Sequence, residues 1–382
     1  MDSFTQIVLG AAVAAAIAPP QHRRAALIAG AALGTLPDLD VLPINLITDD
    51  PVARMTWHRS WSHSLLVLPF VAWALWAWFR SRGGRVAQSP TRWFWAMQGA
   101  LLTHPLLDAF TVYGTQLLWP LPTQPVMWSS VFIIDPLYTV WLLLACVVAW
   151  FARERRIAQP ALVAGLALGS LYLGLSLVAK HQVERAAEQA LASQELATAP
   201  RFSVPMPFNI LLWRVVAMTP DGFVEGERSL VADSGPMQFR RHASDVAAME
   251  QVRDFPAVQR LHWFNRGFMK AQVREGELVL SDLRMGAEPD YSFRFAVARK
   301  DADGRWTQIP PRQLQWPWEA GRRLRAMWER IWHEPADETA AADADGVTME
   351  RSPERFPDLE ADEANIAAGA AWRAHAVPSG GR

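Results

Sequence analysis

Residues Ala161–Ala179 read ALVAGLALGSLYLGLSLVA, nineteen positions without a charged side chain, and Lys180 ends the run. A helix rises 1.5 Å per residue, so a stretch of this kind approaches the roughly 20 apolar residues that cross a bilayer. The run also divides the chain. Before it, long apolar stretches carry charges only between them; after it, the sequence is polar, charged and mixed. The composition predicts a helical membrane domain over 1–180, an extramembrane domain over 181–333, and a low-complexity, disordered tail over 334–382.

Working outward, Val131–Phe151 and Leu65–Phe79 are further spans, and Trp93–Leu107 is another although it carries His104. Phe4–Ala18 and Ala25–Leu36 are short and rich in small residues, which suits either tightly packed helices or a re-entrant hairpin buried in protein. The fold class expected is therefore an α-helical polytopic membrane domain of about four to six helices, followed by a small β-rich α+β domain. Strands are expected at Asn209–Met218, Phe223–Leu230, Gln272–Leu280 and Tyr291–Ala298, separated by turns such as Pro220-Asp221-Gly222. An Arg- and Trp-rich helix is expected over Pro317–Trp332. The N-terminus, with acidic Asp2 and no basic stretch, does not read as a cleavable signal.

Composition excludes some classes. Against 38 acidic residues stand 37 Lys and Arg, so no positive excess is available to neutralise nucleic-acid phosphates. A single cysteine, Cys146, excludes an internal disulfide framework and a cysteine-based zinc site. Nineteen Trp in a chain that is 51 % hydrophobic agrees with a membrane location, because Trp gathers at bilayer interfaces. Arg residues cluster at Arg23–Arg24, at Arg80 to Arg92 and at Arg153–Arg156. With six crossings these loops share one side, which the positive-inside rule makes cytoplasmic. The Pro37–Ser62 and Thr111–Ser130 loops and the C-terminal half then lie outside, at the periplasmic face of a bacterial inner membrane.

Four polar clusters fall at that outer end. They are Leu36-Pro37-Asp38-Leu39-Asp40; His58-Arg59-Ser60-Trp61-Ser62-His63-Ser64; Thr103-His104-Pro105-Leu106-Leu107-Asp108, running on to Thr111, Tyr113 and Gln116; and Asp135-Pro136-Leu137-Tyr138. Ionisable groups beside a membrane are costly and mark functional sites by default. Imidazole and carboxylate together are the ligand set of Zn²⁺, and of Mn²⁺ or Fe²⁺ as oxygen donors increase. His104 and Asp108, four apart, share a helical face, while Pro105 between them should kink or restart the helix. His58 and His63, five apart, do not share a face, so one must come from a turn, with Ser62 a helix N-cap. Asp38 and Asp40 suit a second ion or the orientation of the histidines. Singly, each feature has a plainer reading: a hydrogen-bonded histidine near a helix end, a solvated Asp turn, and Asp135 as an N-cap. Their convergence on one face favours a shared metal site. His22, His181, His242, His262, His333 and His375 stand outside the set.

These motifs, together with Met1-Asp2-Ser3-Phe4-Thr5-Gln6, Gly34-Thr35-Leu36-Pro37-Asp38-Leu39-Asp40 and Pro207-Phe208-Asn209-Ile210-Leu211-Leu212-Trp213-Arg214, resemble those of the inner-membrane metal-dependent hydrolases, the YdjM-like group. The resemblance covers about residues 1–300 and implies a metal-dependent hydrolase without naming a substrate. Some relatives carry His where this chain has Gln6. The expectations are these. One or two divalent ions, Zn or Mn first, are held by His58, His63, His104 and Asp108 with Asp38 and Asp40. A free Asp38 or Asp40 serves as general base, and Arg59 clamps a substrate phosphate or carboxylate. Membrane lipids and a small-molecule or lipid-linked substrate, such as a phosphoester, are the expected partners, and nucleic acid is not. The sequence does not give the oligomeric state. Rival readings are a membrane scaffold or envelope-binding protein with a structural His/Asp network, and a transporter; against the latter, no inverted repeat is visible.

Overall fold

The structure, a computed structural model, describes residues 1–315 and 320–335. It opens with two apolar helices, α1 (Ser3–Ile17) and α2 (Arg23–Thr35), packed through small residues. A Cβ on Gly30 would collide with the Gly10 carbonyl, and one on Gly34 with the Gln6 carbonyl. Glycine at these positions lets the two backbones touch, as close-packed membrane helices require. α2 then runs into a 3₁₀ segment, Leu36–Asp40, and into α3 (Val41–Ile47). After a break, α4 (Pro51–Trp57) is capped by Asp50, whose carboxylate accepts from the Val52 and Ala53 amides.

A second 3₁₀ turn, Trp61–His63, leads to α5 (Leu68–Ser81). α6 (Gly84–Gln88), α7 (Pro90–Ala109), α8 (Pro136–Ala152) and α9 (Ala158–Ala192) complete the helical region. α7 continues through Pro105 rather than restarting there. Asp135 caps α8, accepting from the Leu137 and Tyr138 amides and from the Tyr172 hydroxyl at 2.7 Å, which is the plainer of its two expected roles. The helix expected from His181 is the unbroken continuation of the last apolar run, within α9.

Among the described residues, two helical stretches are long and apolar enough to cross a bilayer, Pro20–Ile47 and Ala158–Ala192. A third arises if Pro51–His63 and Leu68–Ser81, bent by 57°, count as one. That is fewer than the four to six expected. α1 and α8 are apolar but only 15 and 17 residues long. α7 reaches 20 residues, yet carries Arg92, His104 and Asp108.

Beyond α9 the chain forms two antiparallel four-stranded sheets. The first holds β1 (Arg201–Pro205), β2 (Leu212–Thr219), β3 (Gly222–Ser229) and β4 (Arg240–Ala243) in sequence order. Two helices, α10 (Val246–Gln251) and α11 (Pro256–Asn265), separate it from the second. That sheet contains β5 (Met269–Arg274), β6 (Glu277–Asp282), β9 (Arg294–Lys300) and β10 (Trp306–Gln313), in the order β10-β9-β6-β5. A small ladder of β7 (Gly286–Ala287) and β8 (Asp290–Tyr291) lies between β6 and β9 in the chain. The single strand expected over Gln272–Leu280 is instead a hairpin, because Glu275 and Gly276 take left-handed φ values of 52° and 76° and reverse the chain. β10 escaped the sequence reading because Pro310 and Pro311 interrupt its pattern; it is an edge strand with a register shift between Gln308 and Arg312, where such residues are tolerated. α12 (Ala320–Trp332) follows. From position 336 the expected tail lies outside the described residues.

Met1–Glu334 form a single compact unit. One apolar core explains why: Val52, Met55 and Tyr113 from the helical region pack with Leu261, Phe264 and Leu280 from the α+β region. The loops that carry the polar motifs are thus held between helices and sheets.

Candidate metal centre

The packing of α1 on α2 fixes the first part of the site. Gly34, at the end of α2, presents its carbonyl to Nδ1 of His104 on α7 at 2.6 Å. A carbonyl only accepts, so Nδ1 donates, and in the neutral ring Nε2 keeps its lone pair. The 3₁₀ segment after α2 brings in Asp38 and Asp40, and the Trp61–His63 turn brings in His63.

His63 is fixed in the same tautomer by a relay. Ser62 Oγ donates to Asp40 Oδ2 at 2.5 Å, which uses its only proton. It therefore accepts from His63 Nδ1 at 2.9 Å, and His63 Nε2 is left with a lone pair.

The two free nitrogens face each other at 3.1 Å. Asp38 Oδ1 stands 3.3 Å from the His63 nitrogen and 3.4 Å from the His104 nitrogen. Asp108 Oδ2 stands 3.2 and 3.5 Å from the same two atoms. Four donors placed about 2.0–2.1 Å from an ion at the corners of a tetrahedron lie about 3.3–3.4 Å apart. Five edges of this cluster, from 3.1 to 3.5 Å, bracket that value. Asp38 Oδ1 and Asp108 Oδ2 are both buried without a hydrogen-bond partner. Two imidazole lone pairs and two carboxylate oxygens that converge in this way suit a divalent cation, and the donor set suits Zn²⁺ or Mn²⁺.

His63, His104 and Asp108 are sealed from solvent, whereas the Asp38 side chain is 17 % exposed. Asp108 is held from several directions. Arg59 Nε pairs with its Oδ2 at 3.1 Å, and Gln6 Nε2 donates to its Oδ1 at 3.0 Å. The Met1 nitrogen also contacts Oδ1. A buried carboxylate needs such partners, since an isolated charge is not tolerated there.

His58 and Asp40, expected as ligands, lie beside the cluster. His58 Nδ1 sits 2.7 Å from Asp40 Oδ1, and its side chain is 21 % exposed. Arg59 between the two histidines adopts a left-handed φ of 63°, which turns His63 inward and leaves His58 outside. Asp40 is fully engaged by His58, the Arg59 amide and Ser62. Arg59, expected as a substrate clamp, is buried against Asp108, hydrogen-bonds Thr111 Oγ1 at 3.1 Å and lies over the Tyr113 ring.

Residues 1–183 match the family model described as YdjM inner membrane protein. This part of the chain is similar to the YdjM family. Neither the curated proteins nor the solved structures contain a match to the chain.

The matched region includes all four converging residues, and their partners Gln6, Gly34, Arg59, Ser62 and Thr111 as well. The sequence reading missed two of these roles. Ser62 is no helix cap: α5 begins only at Leu68, and the hydroxyl serves as the relay between Asp40 and His63. Gly34 acts through its carbonyl, which leaves no side-chain signal; its place in a motif was the only hint. Gln6 is a donor to Asp108, and a histidine there would meet the same carboxylate.

Proposed function

We propose that the chain is a membrane-bound metal-dependent hydrolase working at the periplasmic surface of the inner membrane. Asp38, His63, His104 and Asp108 would hold one divalent ion, Zn²⁺ or Mn²⁺. The observation that carries this reading is the approach of the two histidine Nε2 atoms, whose rings each donate from Nδ1, to two buried carboxylate oxygens that accept no hydrogen bond, one of them ion-paired with Arg59. When bound, such an ion lowers the pKa of a water and polarises the scissile group.

The residues of the chain do the remaining work. His104 is locked by the Gly34 carbonyl, and His63 by Ser62 and Asp40, so neither ring reorganises when the ion arrives. Arg59 balances the charge of Asp108. Asp38 is the donor nearest solvent, so substrate and water approach on its side. The side chain of His58, oriented by Asp40, borders the same centre. A phosphoester or lipid-linked compound fits a site carried by the ends of apolar helices.

A second reading, a scaffold with a structural ion, is favoured by one observation. Four protein donors close a tetrahedron, as structural zinc sites do, whereas a catalytic site keeps a position open. Asp38 decides between them. In the hydrolase it is the donor that yields a position or shares it; in the scaffold it is indispensable to the fold. Turnover of phosphoester and phospholipid substrates by protein loaded with Zn²⁺ or Mn²⁺ tests the first reading. Hydrolysis that vanishes in a folded His63→Ala variant supports it. A metal-loaded parent without turnover, coupled with an Asp38→Asn variant that fails to fold, favours the scaffold.

A further inference from the structure

A cavity of about 970 Å³ opens between the two halves of the compact unit. It lies at the upper end of the range for small-molecule sites. Trp57, Trp61 and Trp119 line it from the helical region, together with Ile44 and Ile47 of α3. Arg260 and Trp263 of α11 line it from the extramembrane region.

Its position is informative. α3 ends Pro20–Ile47, a stretch apolar and long enough to cross the bilayer. Leu46 beside the cavity is 89 % exposed, and Ile47 71 %, as expected of side chains that face lipid. The cavity therefore sits where a span meets the headgroup layer, and its Trp lining is the residue type that favours that layer.

Its charge is informative too. Arg260 is the cationic residue of the lining. Nε donates to Thr56 Oγ1 at 2.9 Å, Nη2 reaches the Thr56 carbonyl at 3.4 Å, and the guanidinium lies 4.5 Å from the centre of the Trp263 ring. It makes no ion pair among the described residues, although ion pairs engage many other arginines of this domain. Burial pushes its pKa down, and no carboxylate offsets the loss of hydration. A guanidinium still carries its charge under those conditions and is matched in shape to a phosphate. Arg59, by contrast, is spent on Asp108.

We propose that this cavity binds an anionic phospholipid, with its phosphate on Arg260 and an acyl chain along Trp57, Trp61 and Trp119. The proposal extends the lipid-linked substrate class suggested above, but binding itself depends on no metal ligand. Gln116 and Ser60 also line the cavity; the Gln116 amide binds the Arg59 carbonyl at 2.9 Å, so the cavity adjoins the segment between His58 and His63.

The test is native mass spectrometry of the full chain released from detergent. The probes are dioleoyl phosphatidylglycerol, dioleoyl phosphatidylcholine and free glycerol phosphate. The parent should retain phosphatidylglycerol in preference to phosphatidylcholine and should not retain glycerol phosphate. Arg260→Gln should reduce phosphatidylglycerol retention roughly tenfold and abolish the preference, the size expected for loss of a charged hydrogen bond. Trp263→Ala should weaken both phospholipids. Parent-like retention in both variants overturns the proposal, because the lipid then sits elsewhere. Equal retention of glycerol phosphate also overturns it, because the apolar wall then contributes nothing. Metal-stripped protein should bind as the parent does, so failure of the hydrolase reading would leave this result intact.

Discussion

His63 Nε2 and His104 Nε2 point at each other across 3.1 Å, from two segments 41 residues apart in the chain. Both rings have their other nitrogen occupied by an acceptor, so with both rings neutral the approach is one of lone pairs, which a cation between them would relieve. The account rests on that pair.

Ser62→Ala removes the relay between Asp40 and His63 but no donor atom of the cluster. His63 then loses its fixed tautomer. Metal affinity should fall about 10- to 100-fold, the usual effect of losing a partner to a ligating histidine, while stoichiometry at saturating metal is kept. A competition titration with a chromophoric chelator reads this directly. An unchanged affinity would separate Ser62 from the centre.

His58→Ala should retain its metal. Its ring touches Asp40 and lies outside the converging atoms. Under the hydrolase reading, turnover falls while the ion remains, and elemental analysis beside an activity assay distinguishes the two quantities. Loss of the ion from this variant would place His58 among the ligands.

Arg59→Met leaves the buried Asp108 carboxylate without its guanidinium. Breaking a buried pair by removing one partner costs about 3–5 kcal/mol. Thermal unfolding in detergent should show a large loss of stability in metal-free protein and a smaller loss in metal-loaded protein, since the ion takes up part of the charge balance. Parent-like stability without metal would contradict the pairing.

Gly34→Val places a branched side chain against the Gln6 carbonyl, where the backbones touch. Overpacking typically costs about 1–3 kcal/mol, and here it also shifts the carbonyl that orients His104. Stability and metal affinity should fall together. A variant that loses stability yet binds metal as the parent does would show that the His104 orientation survives the shift.

Much of this was readable in the sequence, for physical reasons that differ by residue. The run Ala161–Ala179 declared itself by hydropathy, and His104 with Asp108 by helical spacing. The cost of placing ionisable groups at the ends of apolar helices pointed to a cluster of His58, His63, His104, Asp108, Asp38 and Asp40, of which Asp38, His63, His104 and Asp108 converge. Other features were hidden. His58 and His63 look equivalent in the chain, and only the left-handed turn at Arg59 separates an inward ring from an outward one. Arg59 reads as a free cation until its burial beside Asp108 is seen. Fewer helices than expected meet the length and hydropathy of a span, because the helices within Leu65–Phe79 and Val131–Phe151 begin only at Leu68 and Pro136. The role of Arg260 depends on contacts between positions about 200 residues apart, and no local pattern announces it.

The most direct measurement is the metal content of the full chain purified without chelator or affinity-metal carryover, read by elemental mass spectrometry. The parent, His58→Ala, His63→Ala, His104→Ala and Asp108→Asn would be compared, each as a monodisperse sample. The account predicts one divalent ion per chain in the parent and in His58→Ala, and its loss from the other three. A parent that holds no ion after reconstitution with Zn²⁺ and with Mn²⁺ would contradict it, as would a full complement in His63→Ala and His104→Ala.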